Sequence, residues 1–142
     1  MTSYAKVKGR SSKKQNQFKK SVNGNTFSMM RHDVVHGKEI ERLSLAAKWV
    51  LMKMIGFYSK GNNGDLSAPL NKSKEIFQLS APGLKKALDE LISAEFLEVT
   101  RQGGKNQCSL YALTCFPLND VNKAGIALKA TDRPSDKWKK SF

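Results

Sequence analysis

Residues 71–114, NKSKEIFQLSAPGLKKALDELISAEFLEVTRQGGKNQCSLYALT, contain the pattern that decides the fold. They predict a short helix over 71–77 and a four-residue turn over 78–81. A second helix is predicted over 82–94, because apolar residues recur there at spacings of three and four and a proline is tolerated at the first helical position. The buried stripe of this helix consists of Leu84, Ala87, Leu88, Leu91 and Ile92.

A β-hairpin is predicted next. Residues 96–101 and 108–114 alternate between apolar and polar side chains, and a glycine-containing loop separates the two runs. On the first strand, Leu97 and Val99 are expected to face the core. On the return strand the alternation leaves two choices, Leu110 with Ala112 or Tyr111 with Leu113.

The residues before this stretch predict a helix and a short strand. Ser44 can cap a helix over 45–58, where most side chains are apolar. The glycines and asparagines of SKGNNGD, residues 59–65, indicate a turn, and a very short strand follows it. Residues 27–42 are expected to form an extended lead-in and one or two short helical turns broken at Gly37.

The complete order is helix, short strand, short helix, turn, longer helix, strand, loop and strand, which is the order of a winged helix, an α+β fold. Three segments resemble a group of small winged-helix proteins of bacterial plasmids and prophages: RHDVVHGKEIERLSLAAKWVL (31–51), GNNGDL (61–66) and TxxPSxxW (131–138). The resemblance covers about residues 27–140 and implies a DNA-binding protein of a mobile genetic element. The long basic arm departs from the group's pattern, so its role is inferred from charge.

The formal charge of +13 is concentrated at the N-terminus. Residues 1–20 carry seven Lys and Arg and no acid, whereas residues 21–118 carry twelve basic and nine acidic side chains. Because residues 1–25 have almost no large apolar side chains, we expect a disordered basic arm there. The winged-helix domain is expected over 26–118 and a basic C-terminal tail over 119–142. The concentration of positive charge in residues 1–20 favours a polyanionic partner, since Lys and Arg neutralise phosphates.

Double-stranded DNA is the partner that this fold and charge indicate. In helix-turn-helix proteins the N-terminal residues of the second helix meet base edges in the major groove, and a polar loop suits phosphate or the minor groove. The candidates are Ser80, Ala81, Pro82, Gly83, Lys85, Lys86 and Asp89 on the turn and second helix, Arg101, Lys105, Asn106 and Gln107 on the hairpin loop, and Lys13, Lys14, Lys19 and Lys20 on the arm. The simpler alternatives are a solvated helix surface and an ordinary hairpin loop.

The predicted helix over 45–58 is apolar on two faces. The second face is a ridge at spacings of three and four, made by Leu45, Trp49, Met52 and Ile55. A second copy of the chain can cover this ridge, since two-fold dimers are the commonest soluble assembly. We therefore expect a homodimer, with coverage by residues 27–42 of the same chain as the competing account.

Several functional classes are not expected. No segment is apolar over the roughly 18 residues that a membrane span needs, and the N-terminus lacks the apolar core of a signal peptide. His32 and His36 in HDVVH lack a third metal ligand, Cys108 and Cys115 form no CxxC pair, and the glycine pairs match no nucleotide-binding loop. We expect a cytoplasmic, nucleoid-associated protein that is not an enzyme and has no membrane partner, cofactor, metal or small-molecule effector.

The resulting hypothesis is a sequence-specific DNA-binding transcriptional regulator, a repressor that acts as a dimer at inverted half-sites. A plasmid replication or partition factor that binds repeated origin sites is one alternative. A protein-interaction or RNA-binding module is an alternative from a different class. Trp138, in the basic sequence SDKWKKSF, is expected to anchor the C-terminal segment on the domain rather than to stack on bases.

Overall fold

The structure is a computed structural model, which describes the backbone of residues 2–140 and the side chains of residues 12–139. Most of the chain up to residue 93 is helical. The helices are α1 (Thr2–Ser21), α2 (His32–Val35), α3 (Lys38–Glu41), α4 (Leu45–Phe57), α5 (Ser73–Phe77) and α6 (Ala81–Ser93). Short 3-10 helices span Leu70–Lys72 and Lys137–Lys140. The predicted helices at 45–58, 71–77 and 82–94 are therefore confirmed to within two residues at each end.

The strands form two small antiparallel sheets, so the described chain has a mixed α+β fold. They are β1 (Leu66–Ser67), β2 (Leu97–Arg101), β3 (Leu110–Leu113), β4 (Val121–Lys123) and β5 (Ile126–Leu128). In the larger sheet the order is β1-β3-β2, and Tyr111 pairs with Leu66 on one side and Val99 on the other. The second sheet is the β4–β5 hairpin.

Serine caps fix where α4 and α6 begin, as the sequence predicts for Ser44. Ser44 Oγ accepts a hydrogen bond from Ala47 N at 3.1 Å, and Ser80 Oγ accepts one from Gly83 N at 3.1 Å. The carboxylate of Glu90 on α6 accepts hydrogen bonds from Ser44 N at 2.6 Å and from Ser44 Oγ at 2.9 Å. Glu90 lies on the polar side of the helical pattern, yet it joins α6 to the start of α4.

The main core lies between α4, α6 and one face of the larger sheet. Val50, Leu51 and Met54 of α4 are buried there against Leu84 and Leu91 of α6. The buried stripe predicted for α6 is confirmed, with Ile92 at its partly buried margin. This packing holds α6 by one face and leaves its opposite face to solvent.

Strand β3 is buried on both faces because it is the central strand and each face has its own cover. Tyr111 and Leu113 belong to the main core. Of the two alternations that the sequence leaves open, the one with Tyr111 and Leu113 facing the core is therefore right. Leu110 packs on the other face against the β4–β5 hairpin. The expectation that Val99 is buried is wrong: its side chain is 40% exposed, because it lines an open groove beside α6.

Up to residue 140, the C-terminal segment is folded onto the domain and is not the tail that its composition predicts. Val121 and Ile126 pack with Leu110 in a second, smaller core. Trp138 is 1% exposed and stacks on Phe96 at a ring-centroid distance of 5.3 Å, which confirms the predicted anchor. Strands of three residues are too short to give a recognisable alternation, so the sequence pattern misses β4 and β5.

A cluster of charges around Arg31 joins the lead-in segment to the C-terminal segment. Arg31 Nη1 donates to Cys115 O and to Asp136 Oδ1, both at 2.7 Å, and Arg31 Nε donates to Asp33 Oδ1 at 2.9 Å. Lys139 Nζ lies 2.9 Å from Asp33 Oδ2. The hydrogen bonds from Arg31 and Lys139 hold the pKa of Asp33 well below its ordinary value, so this carboxylate stays ionised.

Residues Thr2–Ser21 of the N-terminal arm form helix α1, so the prediction that the arm is disordered is wrong for these residues. The described side chains of residues 12–20 are all exposed, and the ring of Phe18 lies 4.8 Å from that of Phe27. A low apolar content does not exclude a helix, because Lys, Arg and Gln are good helix formers and a helix satisfies its backbone hydrogen bonds internally.

The apolar ridge predicted on α4 is not continuous. Ile55 is 3% exposed and belongs to the main core, and the indole Nε1 of the half-buried Trp49 donates to Phe77 O at 2.7 Å. Leu45 and Met52 remain exposed, at 82% and 47%. Helical spacing shows which residues share a face but not which neighbours cover them, and here α5 covers Trp49 while the main core takes Ile55.

The side chain of Asn63 is completely buried and hydrogen-bonded on both its oxygen and its nitrogen. Asn63 Nδ2 donates to Leu113 O at 2.9 Å, Phe116 O at 3.1 Å and Pro117 O at 2.9 Å, and Oδ1 accepts from Leu113 N at 2.7 Å. The backbone of Asn63 also bonds Asn119 in both directions, at 2.8 and 3.0 Å. These contacts fix the turn after α4 to the end of β3 and to the start of the C-terminal segment.

We expect Asn63→Ala to lower the free energy of unfolding by about 3 kcal/mol, because it leaves Leu113 N and three buried or part-buried carbonyls without a side-chain partner. Urea denaturation followed by circular dichroism measures the loss. Asn122→Ala, at an exposed position of β4, is the control and should change stability by about 0.5 kcal/mol or less. Equal stabilities for the two variants would contradict the structural role of Asn63.

Candidate nucleic-acid interface

Gln78 caps the end of helix α5, and its backbone has the left-handed conformation and begins the turn into α6. Gln78 has a φ of 55°, and its Nε2 donates to the carbonyls of Glu75 and Ile76, both at 3.2 Å. These bonds satisfy carbonyls that the end of a helix otherwise leaves unpaired. Helix α6 then begins at Ala81, capped by Ser80. The turn therefore holds the first residues of α6 at the surface.

The outward face of α6 presents the predicted residues, but two of their charges are paired. Ser80, Ala81, Pro82, Lys85, Lys86 and Asp89 are exposed, and Gly83 is half-buried. Lys85 Nζ lies 3.5 Å from Asp89 Oδ2 in an exposed pair one helical turn apart. Lys86 has no hydrogen-bond or ion-pair partner within the described part of the chain. An exposed ion pair contributes little free energy, so Lys85 can leave Asp89 for another anion at small cost. Lys86 can bind an anion without breaking such a pair.

The loop between β2 and β3 ends in a tight turn. Gly104 and Gln107 exchange backbone hydrogen bonds of 3.1 and 3.2 Å, and Asn106 between them has a φ of 62°. At the base of the turn, a Cβ at position 103 would lie 2.5 Å from Ser109 N, so the chain passes too closely there for a side chain. The predicted contact residues Lys105, Asn106 and Gln107 are all exposed.

Helix α6 and this loop border one groove of about 480 Å³. Lys85 and Asp89 line it from the helix, and Gly104 and Gln107 line it from the loop. Two groups of residues that the sequence assigns to separate elements are thereby brought to one surface. The floor of the groove is apolar and is formed by Leu88, Ile92, Val99 and Tyr111.

Sequence reasoning missed some polar residues of this groove. Asn71, Gln102 and Ser109 line it together with the predicted residues. Gln102 belongs to the polar loop and could have been included on that ground. Asn71 lies in the 3-10 helix before α5, and no spacing in the sequence relates it to a loop some thirty residues later.

Arg101, which is predicted to contact DNA at the base of the loop, is half-buried and donates hydrogen bonds to the protein's own main chain. Arg101 Nη1 donates to Ala124 O at 3.0 Å, and Nη2 donates to Cys108 O at 2.9 Å. Its Nε is buried without a hydrogen-bond partner among the described residues. The side chain thus joins β2, the loop and the β4–β5 hairpin, because a guanidinium can reach two carbonyls at once.

The basic side chains of α1 form a separate exposed surface. Lys13, Lys14, Lys19 and Lys20 are exposed, and none of them lines the groove between α6 and the loop. The side chains of Lys6, Lys8 and Arg10 lie outside the described residues. The predicted arm contacts are therefore cations displayed on α1, outside the groove.

The histidines and cysteines are not gathered into a site. Among the described residues, no three His, Cys, Asp or Glu side chains are grouped as metal ligands. His32 and His36 are exposed, with ring centroids 6.1 Å apart. Burial raises the pKa of Cys115 to about 12, which keeps it a neutral thiol, whereas Cys108 is exposed beside the groove.

Comparison of the chain with protein-family models, with curated proteins and with solved structures gives no match. Across the described residues, no helix combines the length and the apolar character needed to cross a bilayer.

Proposed function

We propose that this chain binds double-stranded DNA as a winged helix, with α6 as the recognition helix and the β2–β3 loop as the wing. The observation that carries the proposal is the shared groove of α6 and the loop, with the exposed Lys85 and Lys86 on one element and Lys105 on the other. An α-helix fits the major groove of B-DNA, and a cation on a neighbouring loop can reach the phosphate backbone.

The order and pairing of the elements support this proposal. Helix α4, strand β1, helices α5 and α6, and strands β2 and β3 follow one another along the chain, and the sheet order is β1-β3-β2. In helix-turn-helix proteins the first residues of the second helix approach base edges. Ala81 and Pro82 are small or compact residues at that place, and no acidic residue lies in the first turn of α6.

We infer transcriptional regulation as the role of this binding, with the protein acting as a repressor at inverted half-sites on a mobile genetic element. The resemblance of segments 31–51, 61–66 and 131–138 to winged-helix proteins of plasmids and prophages supports that setting. One recognition helix per chain suits a half-site. Footprinting on the native replicon tests the role: a palindrome supports repression, tandem repeats support replication or partition, and no protection supports a protein-interaction or RNA-binding module.

Lys86→Ala should reduce binding to the specific site more than binding to random DNA, because a side chain on the recognition helix can read bases. Lys105→Ala should weaken both about equally, by roughly threefold to fivefold, because a phosphate contact carries no direct sequence information. Competition binding between the footprinted duplex and a scrambled duplex measures both effects.

Lys129→Ala is the matched control, since this lysine is exposed and lies outside both α6 and the wing. It should leave both affinities within twofold of wild type, as expected for a weak long-range charge effect. An equal loss on both duplexes for Lys86→Ala assigns that lysine to the backbone. Wild-type affinities for Lys86→Ala and Lys105→Ala would contradict the proposed interface.

The exposed lysines of α1 should make DNA binding strongly salt-dependent. Replacing Lys13, Lys14, Lys19 and Lys20 by glutamine should flatten the slope of log affinity against log salt by up to about 3.6, because each of the four lost phosphate contacts removes about 0.9 released counterion. Fluorescence anisotropy at several salt concentrations measures the slope, and deletion of residues 1–20 should flatten it further. An unchanged slope in both variants means that α1 does not touch phosphate.

We also propose that the chain forms a homodimer through the exposed part of α4 and the adjoining lead-in. Met52 lines a groove with Phe27, Met30 and Phe57, and all four side chains are more than a third exposed. Exposed apolar side chains that lie together along one groove, rather than singly, are a feature of interaction surfaces. The predicted ridge is thereby shifted toward the C-terminal half of α4.

Met52→Glu should convert the dimer to a folded monomer, because a carboxylate cannot be buried in an apolar interface without a partner. Sedimentation equilibrium at tens of micromolar measures the assembly, and circular dichroism checks the fold. Ala130→Glu, at an exposed position away from α4, should leave the dimer intact. A wild-type protein that stays monomeric in solution and binds DNA as a single copy contradicts the dimer.

A further inference from the structure

Arg101 and the tip of the β4–β5 hairpin are in close contact at the base of the wing. The guanidinium donates to Ala124 O at 3.0 Å and to Cys108 O at 2.9 Å, so one side chain spans from the hairpin tip to the returning end of the wing loop. Both acceptors are main-chain carbonyls, whose positions depend on the backbone rather than on a mobile side chain. Arg101 therefore ties two backbone segments together.

The fit of the aliphatic part of Arg101 depends on Gly125. This glycine has a φ of 82°, and a Cβ added to it would lie 2.9 Å from Arg101 Cδ and 3.3 Å from Arg101 Cγ. The side chain of Arg101 thus lies directly on the glycine backbone. The left-handed turn and the absence of a side chain at position 125 together make room for the arginine.

The environment of the guanidinium also separates Arg101 from the other cations near the wing. Its Nε is buried and unpartnered, whereas Lys105 at the tip is exposed. Arg101 is half-buried, and its hydrogen bonds to the two carbonyls lie at the protein surface. Two of the five N–H donors of this guanidinium are therefore occupied by main-chain carbonyls of the protein itself.

We propose that Arg101 is a positioning residue, which braces the wing against the β4–β5 hairpin and so holds Lys105 in place for a phosphate. The proposal rests on the proposed DNA binding for what Lys105 contacts. The bracing itself is a property of the free protein. It also assigns a function to β4–β5: the hairpin covers Leu110 on the outer face of the sheet and supplies the carbonyl of Ala124 to the brace.

The first test measures the order of the wing without DNA. Arg101→Lys keeps the charge but loses the two-pronged donor, and Gly125→Ala displaces the arginine chain. Each should lower the hydrogen-exchange protection of the Gly104 and Gln107 amides about tenfold. The double variant should lose no more than the larger single effect, because both substitutions break the same contact.

Two controls separate the contact from other effects of these substitutions. Gly24→Ala is the control for backbone strain, because Gly24 has a similar φ of 73° but no atom within 4 Å of an added Cβ. Arg133→Lys is the control for the exchange of arginine by lysine at an exposed position. Neither should alter the exchange of the wing amides.

The second test measures DNA affinity in the presence and absence of Lys105. Arg101→Lys should weaken binding about fivefold in the wild-type background and have no further effect in the Lys105→Ala background, because it acts through the placement of that lysine. Unchanged exchange in both Arg101→Lys and Gly125→Ala would overturn the brace. So would an additive loss of affinity with Lys105→Ala, which would make Arg101 a separate DNA contact. Increased wing exchange in a protein that binds no duplex supports the brace and overturns the proposed DNA binding.

Discussion

The buried amide of Asn63 is the constraint on which the arrangement of helices and sheet depends. A polar side chain without access to water must find its partners within the protein, and for Asn63 these are backbone groups of Leu113, Phe116 and Pro117. The turn after α4 is therefore held at the end of β3. Since β1 begins three residues later and pairs with β3, the same amide sets the register of the central strand.

The register of β3 in turn determines both faces of the sheet. With Tyr111 and Leu113 packed toward α4 and α6, Leu110 turns outward and needs a cover of its own. The β4–β5 hairpin provides it, and Asn119 links that segment back to Asn63. The Arg31 cluster then closes the C-terminal segment over the lead-in, beside the buried ring of Trp138.

Position in the fold separates two arginines, Arg31 and Arg101, from the lysines Lys86 and Lys105. Arg31 and Arg101 donate to carbonyls and carboxylates within the protein and hold segments together. Lys86 and Lys105 are exposed and lie on the two elements that border the groove. The planar guanidinium suits the first use, because it can bridge two fixed acceptors, whereas a hydrated ammonium on a flexible chain suits contact with phosphate. Net charge alone does not distinguish them.

The sequence by itself determined the elements that depend on local chemistry. Ser44 and the serine before α6 mark helix starts, the spacing of Leu84, Leu88 and Leu91 marks the buried side of α6, and the glycine-containing loop marks the hairpin, all of which are properties of neighbouring residues. Tertiary structure decided which apolar faces are covered: Ile55 is buried and Val99 is not, because coverage depends on segments distant in the chain. It also decided the direction of Arg101, whose acceptor Ala124 lies 23 residues away. No periodic pattern in the sequence predicts this hydrogen bond, because only the packing of β4–β5 against the larger sheet brings the carbonyl of Ala124 to the guanidinium of Arg101.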